Sequence, residues 1–319
     1  MRKVVVAAFA ALVCAAPASA QFPDKPIRLV VPFPPGGALD ILARGMAPNL
    51  EARLKQPIVV DNKPGANGTL AFDLVAKSRP DGYTLLLGSA SSLAVNPVLN
   101  PSVPYNPAKD FVGVSALISI PSILIISPSF DAASVQQLVA LAQASPGKIS
   151  YGTPGNGNPN HIAAELFRSK TGVNLVHVPY KGAAFVVTDI IAGHLPMAFV
   201  TLPAGLPHVR SGKVKALAVT TEKRSSAAPQ IPTMAEAGVP GVVYSEWAGI
   251  LAPAGIPQPV VARLNKEFNA VVSAPELQAR LLDQGFDPFL MSSEAFAALM
   301  RADIDRMAAL VRQLGIRAD

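Results

Sequence analysis

Ile27-Arg28-Leu29-Val30-Val31 is a short apolar run that ends at Pro32-Phe33-Pro34-Pro35-Gly36-Gly37, and a segment of helical spacing from Ala38 to Leu54 follows directly. In that segment Ile41, Leu42, Met46, Leu50 and Leu54 mark one stripe, which predicts an amphipathic helix. The same grammar then recurs. Ile58-Val59-Val60 reads as a strand, residues 61–68 as a turn-rich loop and residues 69–77 as a helix. After the Asp81-Gly82 turn, residues 83–87 read as a buried strand. Alternation of this kind predicts α/β architecture, a mostly parallel sheet with helices on its faces.

The alternation continues through the middle of the chain. Residues 122–126, 149–151, 175–178, 197–200 and 214–219 read as strands, with helices near 135–144, 160–171, 183–192 and 204–211. After Glu246-Trp247-Ala248-Gly249-Ile250-Leu251 the last third turns helical, near 259–273, 275–283 and 293–314, and these helices are expected to lie across the first sheet. A chain of 319 residues with 50% hydrophobic residues exceeds the usual size of one core, so two packed domains are expected.

The first twenty residues stand apart. Arg2 and Lys3 precede an uncharged apolar segment, and Ala18-Ser19-Ala20 forms a small-x-small cleavage site. This predicts a secretory signal peptide over 1–20, since the apolar part falls short of the roughly 20 residues a bilayer requires. The single cysteine, Cys14, lies within it, which excludes a disulfide framework. Removing Arg2 and Lys3 leaves 25 of the 27 basic side chains against 21 acidic ones, a net charge of about +4. Nowhere do more than two Lys or Arg stand together, so no nucleic-acid footprint is present. The apolar stretch 112–126 is broken by Ser115, Ser119, Pro121 and Ser122, so no membrane span is expected after the leader. The reading is export to a bacterial periplasm.

Nothing local supports catalysis. His161, His177, His194 and His208 form no metal-binding pair, and no Gly-x-Ser-x-Gly elbow is present. The glycines of 152–157 lack a dinucleotide fingerprint, because Asn160 stands where the third glycine belongs. No catalytic residue, metal or cofactor is therefore assigned.

Two strand-to-helix loops are more informative. Pro34-Pro35-Gly36-Gly37 places unpaired N–H groups before a helix, with Asp40 in the first turn. That is an anion site or an ordinary capped turn. The second loop runs Tyr151-Gly152-Thr153-Pro154-Gly155-Asn156-Gly157-Asn158-Pro159-Asn160-His161, in which Asn158 is a good N-cap and Pro159 a good first helical residue. Thr153 and Asn156 add hydrogen-bonding side chains, and His161 either braces the loop or touches a ligand. Helix N-termini from two parts of the chain suggest a carboxylate held between domains.

At these loops the sequence resembles a known family. The opening from Pro26 to Gly37 with Asp40 and Ala43-Arg44 is similar to that of Bug-type receptors, the extracytoplasmic solute-binding proteins of tripartite tricarboxylate transporters. Further matches are Asn62-Lys63-Pro64-Gly65-Ala66, Pro80-Asp81-Gly82-Tyr83-Thr84-Leu85, Val178-Pro179-Tyr180-Lys181-Gly182, Pro232-Thr233-Met234-Ala235-Glu236-Ala237-Gly238 and Trp247-Ala248-Gly249.

The resemblance implies a two-domain Venus-flytrap fold of the type II periplasmic-binding class. Domain 1 would comprise 21–105 with 225–319, and domain 2 would comprise 106–224. It places Phe33, Pro34, Gly36, Gly37 and Asp40 on one side of a ligand carboxylate and Thr153, Gly155, Asn156, Gly157 and His161 on the other. Ser89 and Ser91 would form a third wall or cap their own loop. Thr201 stands in a stretch where the family often carries an Asp, and Phe185 where small residues are usual. Both favour an aromatic acid or a dicarboxylate over an amino acid, unless Phe185 belongs to the core. The implied partners are that ligand and either separate membrane transporter subunits or a sensor kinase, with the receptor itself a monomer. Trp247 is expected in the core.

Overall fold

The computed structural model describes residues 22–316. The leader, its Cys14 and the cleavage site at Ala18-Ser19-Ala20 lie outside the described residues. The opening unit forms as its pattern predicts: β1 (Ile27–Val31), α1 (Ala38–Leu54), β2 (Ile58–Asn62), α2 (Thr69–Ala76) and β3 (Thr84–Ser89). β1 pairs in parallel with both β2 and β3. The buried stripe of α1 is Leu39, Leu42, Ala43, Met46, Leu50 and Leu54, spaced three or four apart. Ile41, expected on that stripe, points to solvent at 47% exposure, because it sits one residue off the core-facing rows.

A π-helical turn, Ser91–Val95, and the short α3 (Asn96–Leu99) lead to β4 (Phe111–Ile126), a strand of 16 residues. The sequence showed only its last five residues as strand. Its first part pairs antiparallel with β9 (Ser245–Pro253). Its last part lies between β7 (Met197–Thr201) and β8 (Lys215–Val219), again antiparallel. At about 3.3 Å per residue it is some 50 Å long, enough to serve two sheets.

The strands connect along one path, β2-β1-β3-β9-β4-β7-β5-β6, where β5 is Ser150–Thr153 and β6 is Val176–Pro179. Short β10 (Asp287–Pro288) adds to the first sheet beside β4. In the first sheet β2, β1, β3 and β4 run one way against β9 and β10; in the second, only β4 opposes the other four. In each sheet most strands thus run one way, and the antiparallel pairs are those of the shared β4 and, in the first sheet, β3 with β9.

Helices cover both faces. In the first half Leu29, Val31, Leu85 and Leu87 pack under α1 and α8 (Gln258–Val272), while Val30 and Leu86 meet Phe72, Trp247 and Phe296 on the reverse face. In the second, Leu124 and Ile126 meet Tyr151, Phe167 and Phe199, and Ile123 and Ile125 meet Val186, Ile190 and Leu206. Alternate residues of each strand feed opposite faces. The core position expected for Trp247 is observed: it is 3% exposed, edge-on to Phe296, and its Nε1–H donates to Asp303 Oδ2 at 2.7 Å.

Two segments pack away from the first sheet. Ala228, Ile231, Met234 and Tyr244, grouped by sequence with domain 1, are buried in the cores of the second half. α10 (Ser293–Gln313) begins on the first sheet through Phe296 and Met300, but its Met307 and Val311 enter the cluster around Tyr151.

The tightest backbone approach in this frame is at Gly249 in β9. A Cβ there would lie 2.7 Å from the Ser115 carbonyl oxygen and 2.6 Å from Phe296 Cζ. Gly249→Ala is expected to cost about 1–3 kcal/mol in chemical unfolding through overpacking, whereas an alanine at Gly172, where no atom lies within 4 Å of the added carbon, loses stability only through the strain of its φ of +68°.

Candidate ligand-binding cleft

Where β4 passes from one sheet to the other, a cleft of about 620 Å³ opens between the halves. Phe33, Pro34 and 37–39 line it from the β1–α1 turn, with Asn67, Ser89 and Ser91 beside them. From the second half come Pro159, Gly182, Ala183, Thr201 and Pro203. Ile120, Glu246 and Phe286 complete the lining, and Ile120 and Glu246 face each other in register across β4 and β9.

The β1–α1 turn is braced from behind. Gly36 has φ +83°, a left-handed conformation that glycine adopts without a Cβ clash. Its N–H donates to Asp40 Oδ2 at 2.9 Å. Arg44 Nε and Asn62 Nδ2 donate to Asp40 Oδ1 at 3.0 and 2.9 Å, and Asn62 Nδ2 also reaches the Phe33 carbonyl. The Gly36 N–H, assisted by Arg44 and Asn62, holds the Asp40 carboxyl below the usual carboxylate range despite burial. Asp40 therefore positions the turn; it does not line the cleft.

Three helices begin at the cleft without a side-chain cap. They are α1 after Gly37, α6 (Ala183–Ala192) after Gly182, and α7 (Leu202–Arg210) after Thr201. Gly37, Gly182 and Thr201 all line the cleft. Each N-terminus carries orphan N–H groups and roughly half a positive charge.

The loop after β5 is organised differently. Asn158 caps α5 (Pro159–Thr171), its side chain accepting from the N–H groups of Asn160 and His161 at 2.8 and 3.0 Å. Thr153 is fully buried; its Oγ1 donates to the Gly155 carbonyl and lies 2.7 Å from His177 Nε2. Gly157 N–H donates to His161 Nδ1 at 3.0 Å, and the His161 ring stacks on His177. His161 is the brace of this loop. Asn156 and His161 border a separate cavity with Glu165, Arg168 and residues 314–316. Of this loop only Pro159 reaches the cleft, and the N–H groups of Gly157, Asn160 and His161 are taken by His161 Nδ1 and the Asn158 cap.

The cleft thus brings together Phe33, Pro34, Gly37, Ser89, Ser91 and Thr201 of the expected residues. Gly36 and Asp40 stand behind the first turn, and Thr153, Gly155, Asn156, Gly157 and His161 lie outside the lining. Phe185 is 61% exposed and belongs neither to the core nor to the cleft. Sequence reasoning passed over Gly182, Ala183 and Glu246. A glycine entering a helix with no Ser, Thr, Asp or Asn at the cap position was the available signal for the first two. Glu246, a lone acid opening the apolar run of β9, was the signal for the third. Its Oε1 takes the Ser91 N–H at 3.2 Å and the Ser91 hydroxyl, and burial raises its carboxyl above the usual range while Ser91 and Ser89 oppose that shift. Among the described residues no metal-binding cluster occurs and no helix is long and apolar enough to cross a membrane.

The Asp40 geometry carries a pH signature. A depressed native pKa stabilises the fold above the unfolded-state value near 3.8, and that contribution is lost as pH falls through the native value. Asp40→Asn should cost about 1–3 kcal/mol at pH 7, with the gap to wild type closing below pH 4 in urea titrations.

Comparisons with known proteins agree with this architecture. The family model for the tripartite tricarboxylate transporter family receptor, TctC, matches residues 42–316. BugT of Bordetella pertussis is 38% identical over 305 residues, covering 95% of this chain and 94% of BugT. Among solved structures, R. palustris Rpa4515 with adipate superposes with a TM-score of 0.81 at 34% identity, covering 93% of this chain and 99% of that one. The periplasmic binding protein BugD gives 0.77 at 32% identity, over 93% of this chain and all of that one. MatC of Rhodopseudomonas palustris, with bound malate, gives 0.75 at 29% identity over 91% and 100% of the two chains. Two α/β halves sharing β4, a cleft at the handover and a match along nearly the whole chain place this protein in the TctC family of Bug-type solute-binding receptors, with the two-domain type II periplasmic-binding fold.

Proposed function

We propose that this receptor works in the periplasm, after cleavage following Ala20, and captures one small organic carboxylate in the cleft between its halves. The observation that carries the reading is the convergence of three uncapped helix N-termini, from α1, α6 and α7, on one cleft. Each end carries roughly half a positive charge, that of α1 offset by the Asp40 carboxylate in its first turn, and the three offer N–H donors where no Lys, Arg or His lines the wall. Adipate and malate in the solved relatives support a carboxylate as the ligand class.

The working domains follow the packing. Residues 225–244 go with the second half, and the halves move about the handover in β4 and the parallel passage where Thr220 N–H donates to Ser122 O and Thr220 Oγ1 to Tyr244 O. Closure over the ligand excludes water and strengthens its hydrogen bonds. The ligand leaves chemically unchanged, and the closed monomer is what separate transporter subunits or a sensor kinase recognise. A pull-down with and without ligand separates those two partners. A preference for aromatic acids or dicarboxylates would rest on Phe185 and Thr201. Phe185 stands outside the cleft, and Glu246 supplies the acid that Thr201 lacks, so neither residue argues against a ligand amine.

A thermal-shift panel of carboxylates on protein stripped by unfolding and refolding tests the reading. A ligand at 100 times its Kd adds about 2.7 kcal/mol, which raises Tm by roughly 5–10 °C. Ala183→Asp, which sets a negative charge at the α6 N-terminus, should weaken that ligand about tenfold or more without altering the circular dichroism. The absence of any shift from any carboxylate would overturn the proposal.

A further inference from the structure

Glu246 is the one ionisable side chain among the residues that line the cleft. It stands at the handover, opposite Ile120, while the uncapped N-termini of α1, α6 and α7 stand around the walls. Ile120 and Phe286 are its apolar neighbours in the lining, and Ser91 donates twice to its Oε1. Among the described residues no Lys, Arg or His forms an ion pair with it. A carboxylate in such a place is incompletely compensated by the protein. Burial raises its pKa against the Ser91 and Ser89 hydrogen bonds that oppose the shift, and no cation adds to those hydrogen bonds.

Resting on the carboxylate-receptor reading above, we propose that Glu246 determines specificity by accepting a hydrogen bond from a donor at the ligand's far end, a hydroxyl or an ammonium. The ligand is therefore a hydroxy- or amino-carboxylate. Its carboxylate meets the helix N-termini and its donor meets Glu246, so each end faces the opposite polarity. A second carboxylate at the far end would bring two like charges together beside Ile120 and Phe286, where no cation separates them. Ser91 sets the direction of the acceptor: with its N–H and hydroxyl on Oε1, the remaining lone pairs of the carboxylate are what the cleft can offer.

Isothermal titration with matched chain lengths tests this: succinate, 4-hydroxybutyrate, 4-aminobutyrate and butyrate, then adipate, 6-hydroxyhexanoate, 6-aminohexanoate and hexanoate. At pH 8 the wild-type protein should bind a donor-bearing acid at least tenfold tighter than the dicarboxylate of the same length. Glu246→Gln keeps the volume and removes the charge; it should abolish most of that preference, with the dicarboxylate gaining about tenfold and the plain monocarboxylate unchanged. Wild-type protein binding the dicarboxylate as tightly as the donor-bearing acid would overturn the proposal whether or not the variant folds. An unchanged ranking in a folded Glu246→Gln variant would overturn it too, while leaving carboxylate capture intact. Failure of the folded wild type to bind any acid of a broader carboxylate panel would instead remove the receptor reading, and this proposal with it.

Discussion

Everything in this molecule hangs on one strand belonging to two sheets. β4 is buried almost along its whole length, and it exchanges its partner β9 for β7 and β8 between Pro121 and Ser122. Neither sheet is complete without it, so the halves cannot separate; they can only turn about the point where the partners change. That point is also where side chains from both sheets meet solvent. Ile120 and Glu246 lie there, and the turns after β1, β6 and β7 arrive above them. The cleft is a consequence of the handover: two sheets sharing one strand leave a gap on either side of the shared segment.

That strand was also the least legible part of the sequence. β1 and α1 were readable because a strand, a glycine turn and a spaced apolar stripe are local signals. β4 carries no alternation, since both of its faces are buried. Ser115, Ser119 and Ser122 interrupt the apolar run that a buried strand would show. Each has a distant partner that satisfies it: Ser115 donates to Asn269 Oδ1, Ser119 pairs with Ser245, and Ser122 donates to Asn160 Oδ1. No local pattern announces partners more than thirty residues away. The apolar faces of 225–244 and of the end of α10 were visible as apolar, but which core they would enter depended on the two-sheet arrangement.

The site divides along the same line. The Pro34–Gly37 turn was legible because its glycines and the following helix are contiguous, although the part played by Asp40 was not. That acid stands where it would be taken for a ligand contact or a cap, and its carboxylate instead gathers Gly36, Arg44 and Asn62 behind the turn. On the other side, Asn158 drew attention because it is a good cap, and a good cap removes the N–H donors that an anion would use. Of the helices whose ends stay open, α6 follows Gly182, which has no side chain to cap it, and α7 follows Thr201, a capping residue type whose side chain makes no cap bond, so neither end announces itself. A missing signal is harder to read than a present one, and its meaning appears only when the fold brings those ends to the same cleft as α1.

A receptor must release what it binds, and this bears on why the cleft carries helix ends in place of lysines or arginines. A buried arginine–carboxylate pair is bidentate and costly to break, since each partner left alone is an uncompensated charge. Backbone N–H groups at a helix end are neutral donors that water can satisfy when the cleft opens. Their field falls off within the first turn, so the anion is held firmly only when both halves press their helix ends against it. Binding strength is thereby tied to closure and release to opening. The same economy gives one acid weight: only the hydrogen bonds of Ser91 and Ser89 and fixed dipoles offset the charge of Glu246, and no mobile cation among the lining residues competes with what the ligand presents to it.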